Sequence, residues 1–72
     1  MEIDHASIGP EFVRVMKEEG LTRADIANIA NVSPQAVYKW AYGITAPELS
    51  HVLLVSKETK VPLSKMFKQL LV

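Results

Sequence analysis

The side chains of this 72-residue chain that are best suited to recognition are ones that hydrogen-bond rather than react. Gln35 and Lys39 stand four residues apart, one turn of a helix. Gln can pair bidentately with adenine, and Lys can donate to guanine O6 and N7. Taken alone, such a pair is an ordinary solvated helix face. Reactive chemistry is poorly represented. There is no cysteine, which removes disulfides, thiolate metal sites and thiol nucleophiles together. His5 and His51 lack any spacing that suggests a metal site or a base beside a nucleophile, and read as surface or helix-face residues. No Gly-rich phosphate loop or paired-carboxylate cleft is present, so no enzymatic activity, metal or cofactor is expected.

The elements that must position Gln35 and Lys39 lie between Leu21 and Gly43. Thr22 followed by Asp25 is a capping-box-like start, and predicts a helix from Arg23 to about Ala30. Asn31 then permits a left-handed turn at tolerable cost. Ser33 with Pro34 is a second start signal, predicting a helix over Ser33 to Tyr42 that ends at Gly43. Two helices joined by a turn of this length form a helix-turn-helix unit, whose second helix fits the major groove. Ile26, Ala27, Ala30, Val32, Val37 and Trp40 supply the apolar side on which the two helices lock, with Ala27 small enough for close approach. Trp40, on that side, could in isolation also serve as a stacking platform for bases.

Around this unit the pattern is helical throughout, predicting an all-α fold of five helices in one domain over residues 1–72. The first helix is expected to begin near Pro10, at the first helical position, and to stop at Gly20. Phe12, Val13 and Met16 would point inward, with Arg14, Lys17 and Glu18 outside. Thr45 and Glu48 repeat the capping pattern around Pro47. They predict a fourth helix with Leu49, Val52, Leu53 and Ser56 on its inner face, broken at Val61-Pro62. Leu63 to Leu71 reads as a fifth, with Leu63, Met66, Phe67 and Leu70 at helical intervals. Ile29, Leu54 and the tail Leu70-Leu71-Val72 are apolar where the pattern predicts solvent, and such patches often mark association surfaces.

Net charge is zero, which argues against indiscriminate adhesion to nucleic acid, because non-specific affinity comes from neutralised phosphates. The charges are nonetheless polarised. Met1 to Gly20 carries five acids against Arg14 and Lys17, whereas Leu49 to Val72 carries four lysines against Glu58. The longest aliphatic run, Val52 to Val55, is far short of the roughly 20 residues of a membrane span. The acidic start Met1-Glu2-Ile3-Asp4 does not resemble a secretory or transit signal, so a cytoplasmic location is expected. A core of this size is marginal, burying about 60% of the unfolded chain's surface, and a second subunit would help it.

The stretch resembles the Cro and lambda-repressor-like (XRE) helix-turn-helix family at Leu21, Thr22, Ile26, Ala27, Val32, Ser33, Val37, Trp40 and Gly43. The likeness continues through Pro47, Leu49, Val52, Leu53 and Val61-Pro62-Leu63. Four departures stand out. Arg23 replaces the family's usual Gln, Ala30 fills a position that is usually Leu, Asn31 replaces the turn Gly, and Ile44-Thr45-Ala46 replaces the basic residues that many members carry after the recognition helix. The resemblance implies a lambda-repressor-like fold and assigns roles. Arg23 and the amides beside it would hold a phosphate, with Ser33, Tyr42 and Thr45 as further phosphate contacts. Gln35 and Lys39 would read bases, Pro34 and Ala36 would meet thymine methyls, and Tyr38 would reach a base or the backbone.

The function implied is a sequence-specific DNA-binding regulator, a small Cro-type repressor of phage or prokaryotic kind that binds a palindromic operator in double-stranded DNA as a homodimer. The alternative on the same scaffold is a protein-interaction module, an antitoxin or antirepressor, using exposed apolar residues such as Leu54, Leu70 and Leu71. Zero net charge favours that alternative.

Overall fold

The computed structural model describes residues 5–66, with side chains from Ile8 onward. Five helices follow one another: α1 (His5–Glu18), α2 (Arg23–Ala30), α3 (Pro34–Ala41), α4 (Leu49–Thr59) and α5 (Leu63–Met66). No strand occurs among the described residues. α1 packs on α3, α5 and α2, while α2 packs on α3 and α4, so the first three helices surround one core. Its centre is Phe12, Met16, Ile26, Val37, Val55 and Met66, with Val15 added to the inner face expected of α1. No polar side chain is buried among the described residues.

α1, α2 and α3 end in the same way. In each, a left-handed residue lets two successive amides return to the final turn, the Schellman closure that satisfies carbonyls otherwise left open. After α1 the residue is Gly20 (φ 93°), with Leu21 N–H donating to the Met16 carbonyl at 3.0 Å. After α2 it is Asn31 (φ 60°), with Val32 N–H donating to Ala27 at 2.9 Å. After α3 it is Gly43 (φ 72°), with Ile44 N–H donating to Lys39 at 2.9 Å. α4 ends differently. Lys60 is left-handed (φ 62°), and hydroxyls do the closing: Thr59 Oγ1 donates to the Val55 carbonyl at 2.6 Å and Ser56 Oγ to the Val61 carbonyl at 2.7 Å.

Four sequence expectations need correction. α1 is already helical at His5, the first described residue, which places Pro10 inside the helix rather than at its first position. The preceding Gly9 removes the Cβ that a proline ring would crowd. Gly9 is also where α1 meets the end of α3, since a Cβ there would land on the Trp40 carbonyl. α4 is capped by Glu48 and His51 instead of Thr45 and Glu48, with the Glu48 amide donating to His51 Nδ1 at 3.3 Å. The inner face of α4 is Val52 and Val55, with Ser56 half-buried beside them, whereas Leu49 (68% exposed) and Leu53 (46%) face solvent. Lastly, Ile29 is half-buried against the core, not a solvent residue. Leu54 is exposed as expected, and Phe67, Leu70, Leu71 and Val72 lie outside the described residues.

Candidate nucleic-acid interface

The corner between α2 and α3 is fixed by local bonds before any packing is counted. Thr22 Oγ1 accepts from the Asp25 amide at 3.1 Å, and Asp25 Oδ2 accepts from the Thr22 amide at 2.9 Å. This reciprocal box satisfies two orphan donors at the head of α2. The hydrogen bonds from the Thr22 backbone and hydroxyl side hold the Asp25 carboxyl below its usual range. At the head of α3, Ser33 Oγ accepts from the Ala36 amide at 3.2 Å, and Pro34 occupies the first helical position. The Ser33 O–H proton can still donate outward, because a hydroxyl has one donor besides its acceptor lone pairs.

Burial then sets the rotation of α3. Val37 is inaccessible and Trp40 is 3% exposed, with the Trp40 ring 6.1 Å from Phe12 and 5.4 Å from His51. Trp40 is therefore core, as its position in the family resemblance implies, and His51 is a half-buried neighbour and cap. The opposite side of α3 carries Pro34, Gln35 and Lys39, all exposed, with Ala36 and Tyr38 half-buried at its margins. Gln35 and Lys39 thus share a solvent-facing side on a helix whose other side is anchored.

Arg23, Tyr38 and Tyr42 come together as a ladder. The Arg23 guanidinium lies 5.2 Å from the Tyr38 ring centroid, and the Tyr38 and Tyr42 rings are 4.7 Å apart. Sequence reading placed all three at the interface but missed this contact, because it joins the first residue of α2 to the middle of α3. Arg23 and Tyr42 also line an open cleft against α1, whose wall includes Val13, Arg14, Lys17 and Glu18. Glu18 is engaged by Arg14 at 2.8 Å. Neither Arg23 nor Lys39 forms an ion pair among the described residues, so both charges face solvent uncompensated by a bound carboxylate.

Thr45 is exposed in the connection after α3. The Lys39 carbonyl accepts from the Ile44 amide at 2.9 Å and the Thr45 amide at 3.5 Å, which folds this connection back on the end of α3. Chemically, the assembly offers hydrogen-bond donors and acceptors, two cations and aromatic faces on one surface, which is the repertoire of phosphate positioning and base-edge readout. No helix among the described residues is long and apolar enough to cross a membrane.

Comparison with curated proteins and with solved structures returned no match. The helix-turn-helix family model HTH_3 matches residues 14–66, from the C-terminal half of α1 to the last described residue of α5. With the capped α2–α3 corner and a match over most of its length, the chain belongs to the XRE helix-turn-helix family of Cro and lambda-repressor-like DNA-binding regulators.

Proposed function

We propose that residues 1–72 act as one domain, a Cro-type repressor that binds a palindromic operator as a homodimer and presents residues 33–42 to the major groove. The observation that carries this reading is the exposed pair Gln35 and Lys39 opposite the buried pair Val37 and Trp40. Gln35 reads an adenine, Lys39 a guanine, and Pro34 and Ala36 meet thymine methyls. Arg23, Ser33, Tyr42 and Thr45 grip phosphates. Two such helices related by two-fold symmetry reach half-sites about 34–36 Å apart. With about 4–6 charged phosphate contacts per dimer, the logarithmic salt slope is about −4 to −5.

Selection from random duplexes tests the reading, and a palindromic consensus is the expected product. Gln35→Ala then relaxes preference at one base pair, costing about 1–3 kcal/mol against the selected sequence. A slope near zero, or unrelated selected sequences, would overturn it. A second reading, contact with another protein, is favoured by the leucines that α4 leaves outside: Leu49, Leu53 and Leu54, with Ile44 in the preceding connection. Selection without a consensus, together with a co-purifying protein lost on Leu53→Ser, would support that reading instead.

A further inference from the structure

Arg23 is a long side chain at the start of α2, exposed and without an ion pair among the described residues. A cation in that position ordinarily samples many rotamers and loses them on binding, which weakens each contact it makes. Here the guanidinium lies 5.2 Å from the centroid of the half-buried Tyr38 ring. That distance is within the roughly 6 Å over which a ring quadrupole attracts a cation. The Tyr38 ring is in turn held by the Tyr42 ring at 4.7 Å, with a tilt of 44°. The partners also border a shared opening, since Arg23 and Tyr42 line the cleft against α1.

We propose that Tyr38 is a positioning residue: its ring braces the Arg23 guanidinium at the mouth of the α1–α3 cleft, ready for a DNA backbone phosphate. The inference rests on the reading of Arg23 as a phosphate contact. Tyr38 itself touches no base in this arrangement. Its effect on affinity passes through Arg23, and the ring face supplies it rather than the phenolic hydroxyl. The brace also fits a chain whose Ile44-Thr45-Ala46 segment offers no cation of its own, because fewer cations leave more resting on the orientation of each.

The test is a double-mutant cycle on the full chain, titrated with a fixed random-sequence duplex at several salt concentrations. This probe requires no knowledge of the operator. Arg23→Ala lowers the salt slope by about 0.9 for each subunit bound. Tyr38→Leu weakens binding about two- to tenfold with the parental slope, the range expected for immobilising one free side chain. Tyr38→Phe binds like the parent. In the Arg23→Ala background, Tyr38→Leu has no further effect. A readout without DNA runs alongside: the Arg23 Nε–H resonance carries a ring-current shift that persists in Tyr38→Phe and disappears in Tyr38→Leu. If Arg23→Ala lowers the slope but Tyr38→Leu is silent, or is equally costly in both backgrounds, the brace is overturned while the phosphate reading stands. An unchanged slope in Arg23→Ala overturns both.

Discussion

The α2–α3 corner and α4 are both short helical units opened by a cap and closed at a left-handed residue, yet their exteriors differ. The corner spends its exposed surface on Arg23, Gln35, Lys39 and Tyr42, whereas α4 exposes Leu49, Leu53 and Leu54. In the corner, caps and Schellman closures fix the backbone locally, and the outer side chains are left for recognition. In α4, the buried positions are the smaller Val52 and Val55, while larger apolar side chains stay outside. Apolar content alone therefore does not decide which face is buried. α4 lies over α2, and the seat offered there takes valines.

The largest expected effect tests that seating. Val55→Ala removes two carbon groups from a fully buried site and should cost about 2–3 kcal/mol, transfer and cavity terms together. Leu53→Ala removes more carbon from a side chain that is 46% exposed, and should cost well under half as much. Urea denaturation of the two variants decides the point. If Leu53→Ala is the costlier change, α4 is rotated to the face its leucines suggest, and the comparison with the corner fails.

Close approach is the next way to sharpen it. Ala27 is buried where α2 faces α3, and Gly9 lets α1 reach the Trp40 carbonyl. Ala27→Leu and Gly9→Ala should each destabilise by about 1–3 kcal/mol through overpacking. Thermal melts check both, and a parental melting temperature for either would contradict the contact. The two positions also show what the sequence could reveal. The size limit at Ala27 was legible, because caps at Thr22 and Ser33 and the turn at Asn31 fix the corner through bonds spanning three to five residues. Gly9 was not. With the start of α1 read at Pro10, nothing marked Gly9 as the point where a distant carbonyl passes. The face of α4 failed for a related reason: Leu49, Val52, Leu53, Ser56 and Val52, Val55, Ser56, Thr59 are both stripes at helical spacing, and only α2 chooses between them. At the interface, Gln35 and Lys39 could be placed opposite Trp40 by helical spacing alone, while the Arg23–Tyr38 contact needed the angle between two helices.

The smallest effect probes the corner's cap. Thr22→Ala should cost about 1 kcal/mol, because it removes the acceptor for the Asp25 amide. The reciprocal bond adds a pH signature. The Thr22 amide and hydroxyl lower the Asp25 pKa in the native state, so the unfolded state binds that proton more readily. The carboxylate's contribution is therefore fully present above its unfolded value, near 3.9, and is lost as pH falls through the lower native value. Asp25→Asn retains an oxygen that can accept from the Thr22 amide but has no proton to take up. Melting the parent and Asp25→Asn in parallel from pH 6 to pH 2 should show the parent's advantage shrinking below about pH 4. A difference that stays constant across that range would mean the box at the head of α2 does not hold Asp25 in its charged form, and the local bonds that set the corner apart from α4 would lose one of their members.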